Sequence, residues 1–212
     1  MTVRLLWKGN AMIYFTSDLH LGHSRITELC SRPFADVLEM DKAIIENWNR
    51  RVKKNDTVYL IGDAVWDKKK VGFYMEQLSG KKILITGNHD SDWVKKEECR
   101  AYFETVTDYL VININGHPIT MCHYPMLEWK GSREKTGRKL GYHIHGHIHN
   151  RVAEEYHGLY MQFNALNAGV DVNGYEPVSF ERLIENNLRF KLDALTSEKD
   201  REILIAKYNE MK

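Results

Sequence analysis

Lys82-Ile83-Leu84-Ile85-Thr86-Gly87-Asn88-His89-Asp90 is an apolar, β-branched run that stops at a glycine and gives way to amide, imidazole and carboxylate. The run reads as a buried strand, and the glycine as the point where the backbone turns sharply. A helix from Ser91 to Arg100, with Ser91 or Asp92 as its N-cap, is expected to follow and to offer its start to an anion. Polar residues placed there fit a general rule. Open α/β sheets bind ligands beyond the carboxyl ends of their strands.

Working outward, two earlier runs end the same way. Met12 to Thr16 leads into Ser17-Asp18, and Thr57 to Ile61 into Gly62-Asp63. Met40 to Val52 carries Ile44, Ile45, Trp48 and Val52 at helical spacing, and Lys69 to Leu78 reads as a helix stopped by Ser79-Gly80. After residue 104 the pattern changes, with Tyr109 to Asn113 and Pro118 to Cys122 flanking the hairpin signal Asn115-Gly116. Tyr142 to His147 and Met161 to Leu166 read as strands, and Phe180 to Asn186 and Ser197 to Lys212 as helices. Alternation first and hairpins later predict an α/β fold with two packed sheets covered by helices. Without repeats or linkers, residues 1–212 read as a single domain, with 1–10 and 187–212 peripheral.

Composition narrows the class. With 43% hydrophobic residues the chain can bury a substantial core, and 30 Lys+Arg against 29 Asp+Glu give no global argument for nucleic-acid or membrane binding. Cys30, Cys99 and Cys122 are too scattered for a disulfide framework or a thiolate zinc site. The mixed polarity of Met1 to Asn10 does not read as a signal peptide, and no apolar run reaches the ~20 residues of a membrane span. A cytoplasmic protein with no membrane partner and no obligate protein partner is the expectation.

The chemistry lies in five polar clusters: Asp18-Leu19-His20, Gly62-Asp63, Gly87-Asn88-His89-Asp90, His123, and Gly146-His147-Ile148-His149. Taken singly, each has an ordinary reading as a turn, a cap or a core histidine. Their shared donor set of carboxylate, amide oxygen and imidazole suits Mn, Fe, Zn, Co or Ni better than a soft-metal or all-oxygen calcium site. His143, His145, His147 and His149 alternate along the chain, so an extended strand would put all four rings on one face.

Together and in this order, the clusters resemble the pattern of the calcineurin-like metallophosphoesterases: D-x-H, G-D, G-N-H-[D/E], H and G-H-x-H. They span Asp18 to His149. The resemblance implies a four-layer sandwich, two mixed β-sheets with helices outside. It implies two divalent ions, with Mn2+ favoured. It gives the first ion to Asp18, His20 and His149, the second to Asn88, His123 and His147, and makes Asp63 the bridge between them. A hydroxide shared by the ions would attack phosphorus in line, with His89 as general acid. Some family members orient that histidine with an aspartate three residues after the bridging one; Trp66 stands at that position, which leaves Asp67 or Asp90 as the partner.

Substrate is less legible. His23 either touches phosphate or packs at the rim. Trp66, Tyr124 and Trp129 either stack a base or belong to the outer packing. Lys130 to Lys139, with Arg133, Lys135 and Arg138 against Glu134, either steers an anionic substrate or is a solvated loop. The reading is a dinuclear phosphodiesterase acting on nucleotide-like substrates or nucleic-acid ends. A phosphomonoesterase, including a protein phosphatase, is the alternative within the class. A scaffold subunit is the alternative outside it, and the retained ligands argue against that.

Overall fold

The computed structural model describes residues 11–133 and 136–210; Met1 to Asn10, Glu134 and Lys135 of the basic loop, and Met211 and Lys212 lie outside the described residues. Strands β1 (Ile13–Thr16), β2 (Thr57–Ile61), β3 (Lys81–Ile85) and β4 (Thr105–Thr107) form a parallel sheet in that order. Strands β5 (Leu110–Ile114), β6 (His117–Met121), β7 (Tyr142–His145) and β8 (Ala165–Asn167) form the second. In it β5 and β6 are antiparallel, and the remaining pairs are parallel. Among the described residues, seven α-helices complete the fold: α1 (Ile26–Leu29), α2 (Val37–Arg51), α3 (Val71–Met75), α4 (Glu97–Arg100), α5 (His157–Tyr160), α6 (Phe180–Ala194) and α7 (Glu198–Glu210).

The period of two along each strand explains why the first sheet is buried on both faces. Val58, Leu60 and Leu84 pack with Met40, Ile44 and Trp48 of α2, whose i, i+4 spacing makes one apolar stripe. Tyr59, Ile61, Ile83 and Ile85 pack instead with Ile112, Ile119, Met121 and Ile144 of the second sheet. The result is two sheets face to face with helices outside. Asn115 and Gly116 both take positive φ (53° and 90°), as a two-residue hairpin turn requires.

Several element limits differ from expectation. Helix α2 begins at Val37 because the Asp36 carboxylate caps it, accepting from the N–H of Leu38 and Glu39. The helix expected from Ser91 shrinks to α4, with Lys96 at its N-cap and no side-chain cap bond, so no helix start follows the Asn88 cluster. There the chain stays in turns, anchored by the fully buried Trp93. The strand expected at Met161 to Leu166 begins only at Ala165, after a 3-10 turn (Glu154–Tyr156) and α5. Strand β4 had too short an apolar run to announce itself. Helix α6 reaches Ala194, and its buried Asn187 and Lys191 bind the backbone around β8, tying down residues expected to be peripheral.

Candidate metal centre

The polar clusters converge because backbone pairing continues past the strands. Asp18 N–H donates to Gly62 O at 3.0 Å, His20 N–H to Asp63 O at 3.0 Å and Leu21 N–H to Ala64 O at 3.1 Å. The loops after β1 and β2 therefore run side by side and hold Asp18 and His20 next to Asp63. Close approaches here require glycine. A Cβ on Gly62 would lie 2.3 Å from His123 Nδ1, and one on Gly87 would lie 2.2 Å from Asp63 Oδ1. Asp18, His20, Asp63, His147 and His149 all sit at positive φ, between 52° and 72°. Asp and His visit this left-handed region more readily than most residues, but still against a penalty.

Asp63 Oδ2 is the hub. It lies 3.6 Å from His20 Nε2, 3.4 Å from His123 Nε2 and 3.9 Å from His89 Nε2. Two candidate metal clusters share the region: Asp18, His20 and His149, and Asp18, Asp63 and His123, the offered ligand atoms of each lying within 4.8 Å of one another. Asn88 Oδ1 extends the second, 3.2 Å from His123 Nε2 and 3.0 Å from His147 Nδ1. His123 Nδ1 is 2.9 Å from Ile61 O, and a carbonyl only accepts, so that nitrogen carries the proton and Nε2 faces Asp63. Asn88 and His89 are exposed while Asp18 and His123 are fully buried, so the centre opens to solvent on one side.

The electrostatics fit a cation. Burial pushes the Asp18 carboxyl up and drives His20 well below the ordinary imidazole range. For Asp63 burial also works upward, but hydrogen bonding and charge from His123, with help from His20, hold it down at about 2. Burial lowers His123 as well, but Asp63 and Asp18 outweigh it and bring that ring to about 9. The telling group is His20, whose two ring nitrogens are buried without a hydrogen-bond partner among the described residues. A buried polar atom left unmet is costly, and a bound divalent ion meets one of the two. The donor set is oxygen and imidazole, which suits divalent first-row metals.

The remaining expected residues divide. The exposed Trp66 ring packs against His23 (centroids 3.7 Å apart) and His89 (4.7 Å), and the exposed Tyr124 ring against His147 (4.8 Å) and His123 (5.3 Å). Trp129 is instead buried and donates to Gly141 O, so it is packing. Neither carboxylate proposed to orient His89 is aimed at it. Asp90 is occupied by the N–H groups of Asp63, Ala64 and Gly87, and Asp67 accepts from Lys69 N–H. The four alternate imidazoles do not share a face, because β7 stops at His145. His143 and His145 bond backbone carbonyls in the core, while His147 turns to Asn88 and His149 to Asp171 and Asp18.

Arg133 is not brought to the centre. It pairs with Glu128 and lines a cleft of about 780 Å³ with Gly116, Pro118 and Lys139, at the starts of β6 and β7. His123 and His147 follow the opposite ends of those strands, roughly 15 Å away at ~3.3 Å per residue. Sequence reasoning also missed two residues that touch the site. Asp171 Oδ2 lies 2.9 Å from His149 Nδ1, and Arg32 Nε donates to Asp171 Oδ1 at 2.8 Å. Asp171 follows β8 just past Gly169, the same strand-end placement as the other clusters. No comparable signal marks Arg32.

A family model described as a calcineurin-like phosphoesterase superfamily domain matches residues 12–172. The uncharacterized protein MJ1445 of Methanocaldococcus jannaschii is 34% identical over 176 residues, covering 82% of this chain and 89% of its own. The Gene 66 protein of Mycobacterium phage L5 is 30% identical over 189 residues, covering 76% and 87%. Among solved structures, the Aquifex aeolicus protein of unknown function AQ665 is similar, with a TM-score of 0.64, 30% identity and coverage of 83% of this chain and 98% of that one.

Proposed function

Because the chain belongs to the calcineurin-like phosphoesterase superfamily, we propose that it is a phosphodiesterase acting on nucleotide-like substrates or nucleic-acid ends, using two divalent ions with Mn2+ favoured. Asp18, His20 and His149 would hold one ion, Asn88, His123 and His147 the other, with Asp63 between them. Two such ions supply neutralisation of the phosphoryl oxygens and acidification of a shared water.

The observation that carries the substrate class is a cleft of about 520 Å³ opening directly off the centre, lined by Gly87, Asn88, Ser91, Lys95, Cys122 and Tyr124. Its size suits a small ligand, the exposed Tyr124 ring lines it, and its wall carries the Lys95 ammonium together with the Asp108 carboxylate. Tyr124 stacks the base and Lys95 meets a further phosphate. On the other rim, His89 serves as the general acid for the leaving-group oxygen, its ring against Trp66, and His23 packs on the same Trp66 ring. No described helix is long and apolar enough to cross a membrane. The cysteines are free, which fits a reducing, cytoplasmic setting.

The test is to load the purified protein with Mn2+, count the metal and compare substrates. Close to two equivalents per chain and a higher kcat/KM for bis(nitrophenyl) phosphate than for nitrophenyl phosphate are expected. Tyr124→Ala should raise KM for nucleoside diesters and leave it unchanged for the small diester. A preference for the monoester would assign the site to phosphomonoesters instead.

A further inference from the structure

Asp171 and Arg32 form a fully buried ion pair directly behind His149. The Arg32 guanidinium takes both carboxylate oxygens, Oδ1 at 2.8 Å through Nε and Oδ2 at 3.1 Å through Nη2. It also donates to Leu19 O at 3.0 Å and Asp18 O at 2.8 Å, gripping the loop that presents Asp18 and His20. Asp171 Oδ2 receives His149 Nδ1 at 2.9 Å. A carboxylate held by a guanidinium is ionised and can only accept, so Nδ1 must donate. That leaves Nε2, 4.0 Å from Asp18 Oδ1, turned toward the centre. The backbone of His149 is held separately, since Asn167 Nδ2 donates to His149 O at 2.7 Å.

Cys30, His149 and Asp171 also lie close enough together to be read as a third metal cluster. Arg32 weighs against that reading, because its guanidinium already neutralises Asp171, and a cation there would sit beside a like charge. We infer that Asp171, anchored by Arg32, is a positioning residue: it fixes the tautomer and direction of His149 and thereby sets the affinity of the ion site formed with Asp18 and His20. This rests on the metal reading proposed above. Carboxylates behind a ligating imidazole commonly tune metal affinity. Here the same pair also fixes the loop carrying the other two ligands.

The experiment compares Mn2+ titration of wild type and Asp171→Asn by calorimetry. Asparagine keeps the shape but removes the charge and can turn its amide N–H toward the ring. One of two binding steps should weaken by ~10–100-fold while the other stays put. Two unchanged steps, or equal weakening of both, overturn the inference. Failure of the wild type to bind two ions would instead sink the metal reading itself. If Asp171→Asn does not fold, imidazole nitrogen NMR of the Zn2+-loaded wild type decides. A protonated Nδ1 and metal-bound Nε2 at His149 are expected, and metal on Nδ1 overturns the assignment.

Discussion

His89 stands apart from the imidazoles around it. Its side chain is 40% exposed, its Nε2 is 3.9 Å from Asp63 Oδ2, and its ring leans on Trp66. In the function proposed above, this ring on the rim, in neither of the two clusters that contain Asp18, moves a proton rather than binding an ion. Expelling an alkoxide needs a proton far more than expelling a nitrophenolate does. His89→Ala should therefore lose ~10²–10⁴-fold on alkyl or nucleoside esters and much less on nitrophenyl esters. The plot of log rate against leaving-group pKa should steepen in the variant. Parallel plots, with chemistry rate-limiting, would make His89 a phosphate-positioning group. At this scale the sequence was informative wherever a polar residue interrupted an apolar run, as at Asp18, Asp63 and Asn88. It was silent on what orients a ring. Trp66 stands where an orienting carboxylate was sought, and Asp90 turned inward to bind three backbone N–H groups.

Among the elements, α6 carries residues expected at the margin, from 187 onward, into the frame. Its Lys191 is buried, donating to Gln162 O at 2.7 Å and to Ala165 O. Burial lowers this amine from 10.5 to about 7. A neutral amine still has two protons for the two carbonyls. Between those two pKa values the unfolded chain binds a proton that the folded chain does not, so stability rises with pH across the window and is lost below it. The denaturation midpoint of wild type relative to Lys191→Met should climb from pH 7 toward pH 10. A pH-independent difference would mean that Lys191 stays charged when folded. Strands were easier to read than such contacts. The Asn115-Gly116 turn and the run from Thr57 to Ile61 are local signals, and both hold. The strand end at His145 is not local: it depends on where β8 stops pairing with β7, so the histidine run looked like one face, yet His143 and His145 stay in the core while His147 and His149 leave the strand.

Over the whole molecule, the centre lies on the seam between the sheets. Asp18, His20, Asp63 and Asn88 follow strands of the first sheet, while His123, His147 and His149 follow strands of the second. Ions held there would cross-link halves of the chain that otherwise meet through apolar packing. A ligand at a thousand times its Kd adds ~4 kcal/mol of stability, and in a chain of this length each kcal/mol moves Tm by ~2–4 °C. Stripping the metal with a chelator should lower Tm by roughly 10 °C, and restoring Mn2+ should recover it. Identical melting with and without metal would show that the ions do not join the sheets. The left-handed backbone at Asp18, His20, Asp63, His147 and His149 bears on how this protein evolves. Each such residue stands against ~1–2 kcal/mol that glycine would not face. Selection for heat resistance would therefore pull two ways at these five positions: glycine relieves the backbone but forfeits the stability that a bound ion adds, so the residues that do the chemistry persist only where metal is at hand.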